Sequence, residues 1–160
     1  MRRIIYSISI AVAAGLVAAS VASALTPKKI AFTAKYAGNA TAVVDGGSVT
    51  ITANGTGSGT LIGTGAITGN GTGDSSQQPC VPFGGAGTMK GAGGTISFRV
   101  TPGASGCGDE GGHNFTVQGH FLVLKATGKL LKAKGTLKFT GTYSHDDGSF
   151  TVKVFGTLVK

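Results

Sequence analysis

Two short segments of the chain carry acidic and histidine side chains that could bind a cation. The first contains Asp109, Glu110 and His113, and the second contains His145, Asp146 and Asp147. Carboxylate oxygens are the ligands that Ca²⁺ prefers, so a Ca²⁺ site is predicted if the fold brings the two segments together. In the alternative interpretation these aspartates form local hydrogen bonds within turns, where Asp is common.

A second candidate site is the pair Gln118 and His120, which alternates with the apolar residues Phe121 and Val123. In a strand, this alternation places the polar pair on the face opposite the apolar residues. The pair is predicted to bind a ligand if its face lines a pocket, and His120 is an exposed strand histidine if it does not. The sequence contains no Gly-x-Ser-x-Gly, His-Glu-x-x-His or phosphate-binding loop, so no catalytic residue is assigned and no organic cofactor is expected.

The first residues of the chain have the features of an export signal. A basic head of Met1, Arg2 and Arg3 is followed by an apolar run over residues 4–21 and by the small residues Ala22-Ser23-Ala24. This pattern predicts a secretory signal peptide over residues 1–24 and a single domain over residues 25–160. A membrane anchor is the alternative, because a run of about 18 apolar residues can just span a bilayer.

Cys80 and Cys107 are the two cysteines of the chain. Export places them in an oxidising compartment, so they are predicted to form a disulfide. A metal site is the alternative, but the sequence has no Cys-x-x-Cys pair to support it.

Five lysines form a basic stretch, at positions Lys125, Lys129, Lys132, Lys134 and Lys138. A solvated loop is one interpretation. The other is contact with an anionic polymer or a membrane surface. Nucleic acid is not among the expected partners.

The elements that must position these residues are strands, because the dominant period of the sequence is two. Ile96, Phe98 and Val100 alternate with polar residues, and Leu137 and Phe139 do the same further along. Residues 55–73 carry glycine at most odd positions and polar residues, mostly threonine, at most even ones, which indicates a long, bendable strand. Asn54-Gly55 predicts a hairpin turn just before it.

About eight strands are predicted, near residues 30–44, 48–53, 56–72, 86–91, 94–101, 114–124, 135–143 and 149–159. Short strands joined by glycine-rich turns favour an all-β, eight-stranded, antiparallel up-and-down β-barrel, with a β-sandwich as second choice. Alternate connections in such a meander lie at the same end. All six acidic residues and both cysteines are therefore predicted at one end, opposite most of the lysine stretch.

Residues 126–135, Ala-Thr-Gly-Lys-Leu-Leu-Lys-Ala-Lys-Gly, resemble the G-T-G-x-F-x-x-A-x-G signature of the allene oxide cyclase and dirigent barrels. Leu130 stands where the family prefers Phe, and Ala126 where it often has Gly. The resemblance implies an eight-stranded antiparallel barrel and a lipid or phenolic ligand. It places no catalytic residue of either family on this chain.

Composition narrows the class of protein without naming its activity. Glycine supplies 29 of 160 residues and charged residues only 12%, which argues against a coiled coil, a helical bundle or a charge-rich disordered tail. A secreted, non-enzymatic barrel that binds a small apolar ligand, or acts as a surface-associated module, is the first hypothesis. The alternative is a cyclase or isomerase, which would need a polar group inside the barrel to reach the substrate.

Overall fold

The structure, a computed structural model, describes residues 26–160. The predicted signal peptide over residues 1–24 therefore lies outside the described residues. From residue 26 onwards the chain is almost entirely β-strand, and this part contains no helix long and apolar enough to cross a membrane.

Nine strands and one turn of 3₁₀ helix make up the described chain. They are β1 (Lys29–Asp45), β2 (Ser48–Gly59), β3 (Gly63–Asp74), β4 (Cys80–Gly91), β5 (Gly94–Val100), β6 (Ser105–Gly108), β7 (Asn114–Ala126), the 3₁₀ turn (Gly128–Leu130), β8 (Thr136–Ser144) and β9 (Ser149–Val159).

The strands close into an antiparallel barrel, as the sequence predicts. Each strand pairs with its sequence neighbours except that β5 and β6 do not pair with each other, and β1 also pairs with β9 over eleven residues, from Lys29 opposite Val159 to Asn39 opposite Ser149. β5 and the short β6 share one position in the wall, because both lie between β4 and β7. Nine strands therefore fill eight positions of a closed eight-stranded barrel.

The hairpin predicted at Asn54-Gly55 is wrong. Both residues lie inside β2, where Asn54 pairs with Thr68 of β3, and the chain turns instead at residues 60–62. Gly55 has a packing role rather than a turning role, since a Cβ atom on it would lie only 2.9 Å from Cζ of Phe150. The observed turn lies a few residues further along the chain than the predicted one, and it joins the same two strands. Each later connection therefore lies at the end of the barrel where it was predicted.

The two ends of the barrel differ in charge. The connections 46–47, 75–79, 109–113 and 145–148 lie at one end, called here the acidic end. It carries all six acidic residues of the chain, namely Asp45, Asp74, Asp109, Glu110, Asp146 and Asp147, together with both cysteines. The connections 60–62, 92–93 and 127–135 lie at the other end, with the start of β1 and the end of β9; this is the basic end. The predicted separation of charge is confirmed.

The half of the barrel near the basic end is filled with apolar side chains. Its largest fully buried members are Phe32, Ile62, Met89, Ile96, Leu130, Leu137, Val154 and Leu158. Leu130 and Ala133 come from the connection between β7 and β8 and close the base of the barrel.

The residues that match the barrel signature hold this connection in place. Oγ1 of Thr127 accepts a hydrogen bond of 3.0 Å from the backbone N–H of Thr95. Gly128 has φ of +61°, a conformation that glycine adopts without strain. Leu130 is completely buried and Ala133 nearly so. Thr127, Gly128, Leu130 and Ala133 thus each have a structural role in docking the connection under the barrel.

Candidate ligand-binding cavity

The half of the barrel near the acidic end is hollow. A cavity of about 430 Å³ lies inside it and reaches the acidic-end connections at Ser75, Gln78, Gly112 and His145. Its volume lies within the range of small-molecule sites, about 300–1,000 Å³.

Aromatic rings form one wall of the cavity. Phe98 stacks on Phe121 with ring centroids 4.3 Å apart, and Phe121 stacks on Phe139 at 5.7 Å. Phe83 extends the same wall, with its ring centroid 6.2 Å from that of Phe139. These rings come from four strands that are adjacent in the barrel wall, β4, β5, β7 and β8.

Small side chains form part of the facing wall, and they leave space for the cavity. The lining residues of β1, β2 and β3 include Ala40, Ala42, Ala53 and Gly69 together with Val44, Val49, Ile51 and Ile67. A Cβ atom on Gly69 would meet only a backbone oxygen at 3.6 Å, so the space beside this glycine is unfilled. At other positions glycine makes room for a neighbouring side chain. A Cβ atom on Gly119, for example, would lie 2.8 Å from Cζ of Phe139.

The interior offers hardly any polar group. Of the described residues, none that is buried has a charged or strongly polar side chain. The hydroxyl of Tyr36 is buried without a hydrogen-bond partner, and desolvation raises the pKa of this phenol. Tyr36 is therefore a neutral hydrogen-bond donor at pH 7 rather than a base.

One ion pair joins two connections at the acidic end. Nδ1 of His113 lies 2.8 Å from Oδ1 of Asp146, and both side chains are exposed. The hydrogen bond to Asp146, and then the negative charge of that carboxylate, raise the pKa of His113. The structure thus brings together the two segments that the sequence analysis singled out.

The other aspartates of this end mostly accept hydrogen bonds from groups within their own loops. Asp109 accepts hydrogen bonds from the backbone N–H groups of His113 and Asn114 and from the Asn114 side chain, at 2.8, 3.2 and 3.1 Å. These bonds, with those of Asn114 the largest cause, lower the pKa of Asp109. Asp74 caps the turn at Ser76 and Gln77 in the same way, and this lowers its pKa.

The predicted Ca²⁺ site receives no support from this geometry. Asp147 also accepts a local bond, from the backbone N–H of Ser149 at 2.9 Å. Glu110 and His145 are exposed. Within residues 26–160, no group of three or more His, Cys, Asp or Glu side chains is arranged to hold a metal ion. The local hydrogen bonding of turn aspartates, the alternative interpretation, accounts for Asp74, Asp109 and Asp147.

Gln118 and His120 do not line the cavity, so the condition on which they were predicted to bind a ligand is not met at this cavity. Both side chains are exposed on the outer face of β7, whereas Val117 and Phe121 of the same strand face the cavity. The period of two in β7 is as predicted, and it is this alternation that turns the polar pair outward.

The disulfide is confirmed between Cys80 and Cys107. The two cysteines are paired residues of β4 and β6. The bond therefore fastens the short β6 to the wall of the barrel beside the cavity, at the acidic end.

The residues that line the cavity were not predicted from the sequence, although a signal for them exists. Phe98 and Phe121 are expected on inward faces, and Gly69 belongs to the glycine face of β3. Aromatic residues on one set of strands and glycine or alanine on the facing set leave a volume that no side chain fills.

Comparisons of the chain with protein-family models, with curated proteins and with solved structures give no match.

Proposed function

We propose that this protein is a secreted, non-enzymatic barrel that binds one small apolar or amphipathic molecule inside its acidic half. The observation that carries the proposal is the cavity of about 430 Å³ between the aromatic wall and the small-residue wall. Placing an apolar molecule there removes its surface from water, which is favourable by about 25 cal/mol per Å² of apolar area.

The chemistry of the lining supports this class of ligand. Phe98, Phe121 and Phe139 offer ring faces and edges for aromatic or hydrocarbon groups. At the opening, Gln78 and His145 can bind the polar head of an amphipathic molecule. The lipid or phenolic ligand implied by the resemblance of residues 126–135 to the allene oxide cyclase and dirigent barrels belongs to the same class.

Export fits both the disulfide and the N-terminal sequence. A disulfide persists in oxidising compartments, and residues 1–24 have the pattern of a signal peptide. Secretion is therefore part of the proposal.

Among the described residues, the buried polar group available to the enzymatic alternative is the hydroxyl of Tyr36, which does not line the cavity. Its raised pKa leaves it unable to remove a proton at neutral pH. Binding without chemistry is the function that the interior supports best.

Native mass spectrometry of protein exported by its own host tests the proposal. We expect adducts of an apolar organic molecule that leave on collisional activation. If the protein is recovered bare, incubation with a lipid extract of the host should restore the adducts. Failure to restore them, or adducts made only of metal ions or polar metabolites, would contradict the proposal.

A matched pair of variants shows whether such adducts occupy the cavity. Ala53→Phe places a ring in the cavity, and Ala66→Phe places the same ring on the exposed outer face of the adjacent strand. We expect the first variant to lose the adducts and the second to keep them. Loss in both variants, or in neither, is evidence against a ligand inside the barrel.

A further inference from the structure

The basic end concentrates positive charge on one face of the molecule. Eight exposed lysines lie there, namely Lys28, Lys29, Lys90, Lys125, Lys129, Lys132, Lys134 and Lys160. All six acidic residues lie at the other end, so no Asp or Glu side chain neutralises these lysines. In the part of the chain that the structure describes, no lysine or arginine forms a salt bridge.

Exposed apolar side chains lie among these lysines. Leu61, Leu131 and Val159 are 42%, 53% and 39% exposed, and each is next to a basic-end connection or belongs to one. Leu124, near the end of β7, is 57% exposed. Exposed large apolar residues elsewhere in the described chain are confined to Val43 and Val44.

Backbone hydrogen bonds hold the segments of the basic end together. The N–H of Gly93 donates to Ile62, and the N–H of Lys129 donates to Gly93, which joins three connections in a row. Lys134 pairs with Val159, and Lys28 pairs with Lys160. The lysines and apolar residues therefore lie on one continuous, ordered surface.

Two of these residues occupy a backbone conformation that glycine would adopt with less strain. Leu61 has φ of 64° and Lys132 has φ of 67°, both in the left-handed region. A leucine at the tip of this turn gains only part of the stabilisation of a buried side chain, because 42% of it is exposed. A large side chain at a strained and partly exposed position points to a role outside the fold.

We propose that the basic end docks on the surface of an anionic lipid bilayer, with the lysines against the headgroups and Leu61 and Leu131 inserted between them. Basic residues attract the protein to an anionic surface, and apolar side chains add affinity by leaving water. An anionic polymer would use the lysines alone, so the apolar residues favour lipid. In this orientation the cavity opens away from the membrane.

Vesicle sedimentation tests the proposal with the chain from residue 26 onwards. This chain contains every strand of the closed barrel and lacks the apolar run of residues 4–21, which could bind lipid by itself. We expect binding to phosphatidylcholine vesicles that contain phosphatidylglycerol, weakening as salt is added, and no binding to phosphatidylcholine alone. Equal binding to both vesicles, or to neither, would overturn the proposal.

Charge variants locate the docking surface. Replacing Lys129, Lys132 and Lys134 with Gln should weaken binding about a hundredfold, since each lysine near an anionic surface contributes about fivefold. The control replaces Arg99 and Lys153 with Gln. Lys153 lies roughly 20 Å along β9 from Val159, and Arg99 lies roughly 17 Å along β5 from Gly94, both beyond the range of unscreened charge, so the control should lose about twofold at most. Equal losses would show attraction by net charge without a docking surface.

The variant Leu61→Gly distinguishes the contribution of lipid insertion to vesicle binding from the contribution of charge. The variant keeps every lysine and relieves the strained backbone, so its melting temperature should be unchanged or higher, while binding to the anionic vesicles falls about fivefold to tenfold. Heparin binding should not change. If vesicle binding is also unchanged, the basic end recognises polyanions rather than lipid, and the proposal is wrong.

Discussion

Nδ1 of His113 and Oδ1 of Asp146 lie 2.8 Å apart and link the connection that precedes β7 to the one between β8 and β9. The two residues are 33 positions apart in the chain, and the barrel brings them together because their connections lie at the same end. This pair raises the pKa of His113 above its ordinary value of 6.5.

The titration of His113 can be followed directly by NMR. We expect its pKa to lie above 6.5 and Asp146→Asn to return it toward that value. Asp147→Asn, which removes the adjacent carboxylate, should have a much smaller effect. An unchanged pKa in Asp146→Asn would show that the pair does not form in solution.

The pair also sets a direction for the pH dependence of stability. Because the pKa of His113 is raised in the folded state, protonation of this histidine stabilises the fold, and the contribution is fully present below pH 6.5. It is lost as the pH rises through the higher folded-state pKa. Both side chains are more than 60% exposed, so the effect on melting temperature should be small. Asp146→Asn should remove it.

Asp109 predicts a pH dependence of the opposite sign. Because its pKa is lowered in the folded state, the ionised carboxylate of Asp109 stabilises the fold above pH 3.8, the ordinary pKa. This contribution is lost as the pH falls through the lower folded-state pKa. We expect Asp109→Ala to melt at a lower temperature than the wild type at pH 6, with the difference shrinking in acid. Glu110→Ala is the control. The same difference at every pH would contradict the hydrogen-bonded role of this carboxylate.

The disulfide should contribute measurably to the free energy of unfolding. A loop of the size closed by Cys80 and Cys107 stabilises by about 3–4 kcal/mol through the lost entropy of the unfolded chain. Urea denaturation of the double variant Cys80→Ser, Cys107→Ser should show a loss of this size. A loss well below 1 kcal/mol would mean that β6 holds its position without the bond.

Glycine at the inner face should be required where neighbouring atoms leave no room for a Cβ atom. Gly119→Ala should lower the free energy of unfolding by about 1–3 kcal/mol, because its Cβ would overlap Cβ of Ala104 and the ring of Phe139. Gly69→Ala, beside the cavity, should be neutral or stabilising. Thermal melts of the two variants compare them, and equal destabilisation would contradict the described packing.

Much of this architecture can be predicted from the alternation of apolar and polar residues along the chain. Alternation in segments such as that of Phe98 and Phe121 predicts the strands and their inner faces, and counting turns predicts which end holds the acids and cysteines. Local turn chemistry is less reliable here. Asn54-Gly55 has the sequence of a hairpin turn, but Gly55 is needed beneath Phe150, so tertiary packing overrides the local preference.

The candidate site is harder to predict from the sequence than the fold is. A cavity is a deficit of volume summed over several strands, and no single residue signals it. Polar residues such as His120 attract notice as functional candidates, yet an alternating strand places them outside when its other face is apolar. The cavity here is bordered on one side by small residues such as Ala40, Ala53 and Gly69.

Binding of a neutral fluorescent dye, N-phenyl-1-naphthylamine, tests the central claim most directly. The wild-type protein should bind one dye molecule per barrel with increased fluorescence, and Ala53→Phe should abolish the signal while Ala66→Phe leaves it intact. Thermal melts of all three proteins confirm that the fold is retained. Dye binding that persists unchanged in the folded Ala53→Phe variant, or that is missing from the wild type, would contradict a ligand cavity inside the barrel.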